Sequence, residues 1–97
     1  MESWIVRLRE RRPEIEQAIW FGSWVHGTPT PGSDVDICLI LASSTKSYRE
    51  RIDDFAPDGL AIAVEVFPYT RAELESLALE QPGWFREIMR GRTIPPR

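Results

Sequence analysis

The chain has 97 residues, of which 12 are Lys or Arg and 15 are Asp or Glu, so its formal net charge is −3. This length favours one domain over residues 1–97. The negative charge argues against a protein whose affinity rests on neutralising nucleic-acid phosphates, so direct nucleic-acid binding is not expected. One cysteine excludes an internal disulfide framework, and the apolar runs fall well short of the about 18 residues that span a bilayer. We therefore expect a soluble protein, without membrane contact, in a reducing cytoplasm.

The first third of the chain predicts a helix, a strand and a loop. Ser3 is a suitable cap for a helix that ends near Pro13. The short apolar run at residues 18–21, rich in aromatic residues, predicts a buried strand. Residues 27–32 contain two prolines and two glycines, which suit neither a helix nor a central strand, so they predict a loop.

The middle of the chain predicts a second strand and a second helix. Residues 35–41 are mostly β-branched or apolar, which is typical of a strand. Three hydroxyl residues at 43–45 offer N-caps for a helix whose apolar side chains recur at spacings of four and three, at Tyr48, Ile52 and Phe55.

The last third predicts a strand, helical segments and a tail. Residues 60–67 form the third predicted strand, and Thr70 with Glu73 forms a capping-box pair that begins a helix. One or two helical turns follow Pro82, and residues 93–97 predict an extended or frayed tail. Alternating helices and strands predict an α/β (α+β) fold, a small mixed sheet of about three strands covered by helices, with its core at about 15–91 and a tail at 92–97.

Asp34 and Asp36 stand at the start of the second predicted strand. Because strand side chains alternate, these two carboxylates point to the same face, where their repulsion is costly unless a cation lies between them. Hard divalent ions such as Mg²⁺ are the natural partners of carboxylate oxygens. The alternative is that the two aspartates are solvated loop carboxylates or helix caps without a metal.

Gly22 and Ser23 follow the first predicted strand. A short helical turn after them would direct backbone N–H groups and the Ser23 hydroxyl at an anion, and Gly22 permits close backbone approach. If the first two strands pair, this phosphate site lies beside the Asp34 and Asp36 pair. A phosphate cradle beside a carboxylate-held metal is the minimal equipment for phosphoryl or nucleotidyl transfer.

Glu65 supplies a candidate third carboxylate. It alternates with the β-branched residues of its strand, so it faces away from them and is able to point toward the Asp pair. In a two-metal arrangement it would complete the second site. The alternative is an edge-strand Glu in water.

Together these residues resemble the minimal nucleotidyltransferases of the DNA polymerase beta superfamily, over about residues 15–91. The resemblance rests on Gly22-Ser23, Gly27, the run Ser33-Asp34-Val35-Asp36 and the segment 64–70. It implies the polymerase beta-like nucleotidyltransferase fold, with two Mg²⁺ ions and ATP or another nucleoside triphosphate as substrate. It further implies catalytic, metal-binding roles for Asp34, Asp36 and Glu65, and nucleotide binding by Gly22, Ser23 and Ser33. Many members carry Asp where Glu65 stands.

The resemblance also implies a partner. Minimal nucleotidyltransferases are commonly encoded with helical HEPN-type RNases, and some act as antitoxins that transfer AMP to a partner tyrosine. The leading hypothesis is therefore a nucleotidyltransferase that moves AMP from ATP to a hydroxyl of such a partner. Two alternatives stay open: a non-catalytic antitoxin that neutralises its partner by binding, and a homodimeric nucleotidyltransferase acting on a small molecule.

Other reactive or aromatic residues carry less weight. Cys38 lies in an apolar strand, where a buried small hydrophobe is favoured over a nucleophile. Among Trp20, Trp24 and Trp84 as candidates for stacking on a base, Trp20 is assigned to the core and Trp24 is the preferred candidate.

Overall fold

The computed structural model describes residues 2–22, 35–55 and 64–94, and only the backbone of residues 2–4. Within these ranges the chain forms four helices and four strands in a mixed α and β arrangement. In chain order they are α1 Glu2–Arg11, β1 Ile15–Phe21, β2 Val35–Leu41, α2 Tyr48–Asp54, β3 Val64–Thr70, α3 Arg71–Glu80, α4 Pro82–Met89 and β4 Arg92–Ile94. No helix of the described ranges is both long enough and apolar enough to cross a bilayer.

The strands form one sheet in the order β3-β2-β1-β4. β1 pairs antiparallel with both β2 and β4, whereas β2 and β3 run parallel. β2 is almost entirely buried, as its near-continuous apolar sequence predicts for a strand covered on both faces.

Helices cover both faces of the sheet. On one face, buried side chains of α1 and the end of α2 pack on Val35, Ile37 and Leu39. On the other face, α3 and α4 contribute Leu74, Leu77 and Ile88 to a second cluster: Ile19, Phe21, Cys38, Ile40, Leu74, Leu77 and Ile88. The alternation along β2 thus sends Asp36, Cys38 and Ile40 to the face of α3 and α4.

A buried cation ties α2 to β3 and α3. Arg51 is 3% exposed, and its guanidinium donates to the carbonyl oxygens of Lys46, Ser47 and Pro68. It also donates to both carboxylate oxygens of Glu73, at 2.6 and 2.7 Å. Because five acceptors meet this guanidinium, its charge is compensated in the interior.

The strand predictions need three corrections. β1 begins at Ile15 rather than at residue 18, because Glu16 and Gln17 are polar and exposed beside a bulge, so the apolar run that predicts the strand starts only at Ala18. β3 continues to Thr70, beyond the predicted end at residue 67, while the predicted positions 60–63 lie outside the described residues. The segment predicted as a tail contains a fourth strand, β4, which pairs with Ala18, Ile19 and Trp20.

The helix predictions are confirmed for α3 and α4 and corrected for α2 and α1. Thr70 and Glu73 form the expected capping box. The N-cap of α2 is Ser47, in a second capping box, and not a residue of the 43–45 run. The predicted apolar stripe of α2 is also wrong in part, since Ile52 is 38% exposed and the residue buried within this helix is Arg51. α1 already begins at Glu2, ahead of the predicted cap Ser3.

Candidate functional site

Two of the three predicted carboxylates lie in register on neighbouring strands. Asp36 of β2 is paired with Glu65 of β3, and the two strands are parallel. Residues opposite each other on adjacent strands, about 4.8 Å apart, place their side chains on the same face. Glu65 therefore lies on the face of Asp36, while Val64 and Val66 pack on the opposite face. The face assignment predicted for Glu65 agrees with this placement.

Gly22 lies directly against Asp36. It follows the last residue of β1, Phe21, which is paired with Asp36, and it adopts a φ of 91°, a backbone conformation that favours glycine. A Cβ at position 22 would lie 2.5 Å from Asp36 Oδ2 and 3.4 Å from its Cγ. The turn after β1 and the carboxylate of β2 are therefore in close contact, and only a residue without a side chain fits between them.

The remaining predicted site residues, Ser23, Ser33 and Asp34, lie outside the described residues. In the sequence, Ser23 directly follows Gly22, and Ser33 and Asp34 directly precede Val35, the first residue of β2. Their roles stay predictions.

The electrostatics of the Asp36 and Glu65 pair suit a cation. Two unit negative charges about 5 Å apart repel by roughly 1 kcal/mol in water and by about 3 kcal/mol at an effective dielectric constant of 20. Asp36 is half-buried and Glu65 is exposed, so the repulsion lies between these limits. Carboxylate oxygens are the ligands that Mg²⁺ prefers, and the pair therefore fits the metal that the resemblance implies.

Two carboxylates make only part of a ligand set. In ranges 2–22, 35–55 and 64–94, no three His, Cys, Asp or Glu side chains gather closely enough to hold a metal ion. The predicted additional ligand, Asp34, stands outside those ranges, two positions before Asp36 on the chain.

An aromatic cluster borders the two acids. Phe21 is the β1 neighbour of Asp36, and Phe67 follows Glu65 by two positions on the same face. Their ring centroids are 5.5 Å apart, and the indole of Trp84 on α4 lies 5.5 Å from Phe21 and 5.3 Å from Phe67. Phe21 is buried, whereas Phe67 and Trp84 are half-buried.

The sequence alone does not predict that Phe21, Phe67 and Trp84 gather beside the two acids. The position of Phe67, two residues after Glu65, was a usable signal, because residues at that spacing share a strand face. The contact of Trp84 was not visible in the sequence, since it depends on how α4 crosses the sheet. Trp24, the preferred stacking candidate, lies outside the described residues.

Cys38 is not a candidate nucleophile. It is fully buried in β2, and burial raises the pKa of its thiol to about 12. The thiolate is the reactive form, so this cysteine is inert in the folded chain, as the sequence indicates.

A groove lies at the other end of the same sheet face. It has a volume of about 670 Å³ and is lined chiefly by apolar side chains of β2, α3 and α4, including Ile40, Leu74, Phe85 and Met89. Ile40 follows Asp36 by four strand residues, about 13 Å, so the groove is separate from the acidic pair.

Comparison with known families gives one match. The family model described as a nucleotidyltransferase domain matches residues 3–88. This range includes every predicted site residue and all elements except the first residue of α1, the last residue of α4 and the strand β4. No curated protein matches the chain.

Proposed function

The chain belongs to the nucleotidyltransferase domain family, and from that premise we propose that it transfers AMP from ATP to an acceptor hydroxyl. In this reaction the hydroxyl oxygen forms a bond to the α-phosphorus. The bond from that phosphorus to the oxygen bridging to the β-phosphate breaks. Pyrophosphate leaves with that oxygen, and the hydroxyl proton is lost to water.

The observation that carries the proposal is the close approach of Gly22 to Asp36, together with the pairing of Asp36 and Glu65 in register. A glycine against one carboxylate, with a second carboxylate opposite on the next strand, supports the proposal that a phosphate-binding turn and a metal-binding pair adjoin here. In the proposal, Asp36 and Glu65, with Asp34, hold two Mg²⁺ ions. Bound Mg²⁺ would offset the negative charge of the triphosphate and of the transition state.

The nucleotide is held by Gly22, Ser23 and Ser33 in this proposal. Backbone N–H groups after a strand suit phosphate oxygens, and serine hydroxyls donate to the same oxygens. Phosphoryl and nucleotidyl transfer depend on positioning and charge neutralisation more than on covalent participation of the protein. No further catalytic group is required from this chain.

The acceptor is proposed to be a hydroxyl of a HEPN-type helical partner, with this chain as the antitoxin of a cytoplasmic pair. The support is the resemblance in the segments 22–36 and 64–70. The residues assigned above serve the nucleotide and the metal, and none is assigned to the acceptor, so a partner protein is the proposed source of that hydroxyl.

The test is transfer of label from [α-³²P]ATP in the presence of MgCl₂, with the chain alone and with the protein encoded beside it. We expect label on the partner, a decrease of at least 100-fold in Asp36→Asn and Glu65→Gln, and loss of transfer in EDTA. Asp53→Asn is the matched control, because Asp53 is an exposed carboxylate near the end of α2, which packs through Phe55 in the cluster on the face away from Asp36. Transfer that persists equally in Asp36→Asn would exclude the proposed site.

The two alternatives give different results in the same assay. A non-catalytic antitoxin forms a complex with its partner while no label is transferred, and Asp36→Asn neutralises the partner as well as the natural chain does. A homodimeric enzyme acting on a small molecule consumes ATP with a low-molecular-weight acceptor and without any protein partner.

A further inference from the structure

The aromatic cluster beside the acidic pair has a half-buried member on a helix, Trp84. This indole packs on Phe21 and Phe67 with interplanar angles of 77° and 65°. Its Nε1–H donates to the hydroxyl oxygen of Tyr69 at 3.1 Å. Two ring contacts and one directional hydrogen bond fix the orientation of the indole, while the residue as a whole is only half-buried.

The position of Trp84 relative to the acids follows from the strand register. Phe21 is paired with Asp36 in the row of the two acids, and Phe67 lies in the next row, so the indole contacts one ring from each of these rows. One strand spacing and the 5.5 Å ring separation together put the indole within about 10 Å of the Asp36 position. A ribose bridges a distance of this kind between a nucleobase and its α-phosphate.

We propose that Trp84 is a base-binding residue on which the planar base of the nucleotide stacks while its phosphates lie at Gly22 and the two acids. This inference rests on the proposed function, since it assigns the base of that same donor. A base is the aromatic group that the proposed reaction always contains, because the acceptor contributes only a hydroxyl. Every base has a π-face, and stacking on an aromatic side chain tolerates differences in base identity.

Phe67 and Tyr69 are positioning residues in this arrangement. Phe67 supports the indole by ring contact, and Tyr69 accepts its N–H hydrogen bond while packing on Tyr48 at 5.1 Å between centroids. Tyr69→Phe keeps the ring and removes the hydroxyl. The variant therefore loosens the indole without removing the stacking surface.

The test compares binding of Mg²⁺·ATP with binding of Mg²⁺·inorganic triphosphate, which has no base, by titration calorimetry. In Trp84→Leu we expect ATP to bind at least fivefold more weakly and triphosphate to bind within twofold of the natural chain. Trp84→Phe keeps a ring and should recover most of the ATP affinity. Phe85→Leu is the matched control, because Phe85 is the next residue of α4 and packs on the same core cluster but lines the distant groove.

A direct signature is available from ¹⁹F NMR of the chain labelled with 5-fluorotryptophan. The chain has four tryptophans, and the Trp84 resonance is the one absent from Trp84→Phe. Stacking of adenine should shift this resonance by its ring current on addition of Mg²⁺·ATP, and triphosphate should leave it in place. This reading does not depend on turnover or on a partner.

Each remaining outcome overturns the inference. Equal ATP affinity in Trp84→Leu and the natural chain excludes a stacking role. Equal weakening of ATP and triphosphate shows that Trp84 only supports the fold of the acidic site. A natural chain that binds neither ligand contradicts the proposed function itself, whereas a natural chain that binds ATP with an unshifted Trp84 resonance contradicts this inference alone.

Discussion

At the scale of single residues, the Arg51 and Glu73 pair shows how the interior accepts a charge. The side chain of Arg51 is 4% exposed and that of Glu73 is 41% exposed, so one partner is buried and the other reaches solvent. Glu73 additionally accepts the backbone N–H of Thr70. Hydrogen bonds from Arg51, with a smaller contribution from Thr70, lower the pKa of the Glu73 carboxyl from 4.5 to about 2.

This shift predicts an acid-dependent stability difference between the natural chain and Glu73→Gln. Since the pKa of Glu73 is lower in the folded chain, its contribution is present above pH 4.5 and is lost as the pH falls toward 2. Glutamine can still accept the Thr70 N–H, so the variant removes mainly the charge. At pH 7 we expect Glu73→Gln to lower the free energy of unfolding by about 1–2 kcal/mol. The effect stays small because solvent screens the partly exposed carboxylate of Glu73.

Urea unfolding at pH 7, 4 and 2.5 measures this difference. It should be largest at pH 7 and smallest at pH 2.5. Glu75→Gln, an exposed position on the same helix, is the control and should stay within about 0.5 kcal/mol of the natural chain. A Glu73→Gln deficit that does not change between pH 7 and 2.5 would contradict the assignment of the shift to Arg51.

Gly22 combines a positive φ with close packing against the predicted metal ligand Asp36. In Gly22→Ala the new Cβ collides with the Asp36 carboxylate, and the positive φ costs about 1–2 kcal/mol for a residue with a side chain. A carboxylate moved by about 1 Å reduces transfer roughly 100-fold. We therefore expect nucleotidyl transfer to fall much more than the unfolding midpoint does.

Gly83→Ala is the matched control for that variant. No atom lies within 4 Å of a Cβ at position 83, which is in α4, so alanine there should be neutral or should stabilise by up to about 1 kcal/mol. The two variants are compared by thermal unfolding and by transfer from labelled ATP. Unchanged transfer in Gly22→Ala would show that the Asp36 carboxylate does not need its present position.

At the scale of elements, capping boxes define where two of the helices begin. Ser47 with Glu50 and Thr70 with Glu73 each exchange two hydrogen bonds between side chain and backbone. Thr70 is also the last residue of β3, so the strand leads into α3 without a linker. The cap therefore fixes the angle at which α3 leaves the sheet.

Thr70→Val is expected to reduce stability by about 1 kcal/mol, because it keeps the volume and removes the oxygen that accepts the Glu73 N–H. The free energy of unfolding from urea titration measures the effect. Ser76→Ala removes a hydroxyl from an exposed position within the same helix and should change stability by less than about 0.5 kcal/mol. Equal losses in the two variants would mean that the cap contributes nothing beyond an ordinary hydroxyl.

These elements also show how far sequence patterns reach. The pattern at Thr70 predicts α3 correctly, and the same pattern at Ser47 and Glu50 marks the start of α2 more accurately than the three hydroxyl residues before it do. Residue periodicity could not reveal Arg51 as the buried position of α2, since its burial depends on acceptors from β3 and α3. β4 is three residues long and buries only Ile94, so it has too few positions to show an alternation.

At the scale of the whole molecule, the central strand β2 carries both the core and the site. Its alternate residues contribute to the two hydrophobic clusters, and its second residue is Asp36. The predicted alternation along β3 puts Glu65 on the face away from Val64 and Val66, which allows it to share a face with Asp36. It could not give their pairing in register, which depends on the parallel alignment of two strands distant in the chain.

Cys38 provides a probe of this whole structure, because it is the single cysteine and lies at the centre of β2. The rise in its pKa from 9.0 to about 12 alone reduces the thiolate fraction roughly 1,000-fold at neutral pH. Alkylation by iodoacetamide should therefore be at least 1,000-fold slower than for free cysteine. Its rate should increase with urea across the unfolding transition, and reaction at the rate of free cysteine without urea would contradict the burial of β2.

The parallel pairing of β2 with β3 also has a kinetic consequence. Asp36 and Glu65 meet only after the chain between residues 42 and 63 has closed on itself, whereas the capping boxes use contacts three residues apart. Loop closure costs entropy before any pairing compensates for it, so contacts of this kind form slowly. During refolding, helical signal should thus return before affinity for Mg²⁺·ATP does. A chain with its helices formed and β3 undocked would have both acids and no place for a nucleotide.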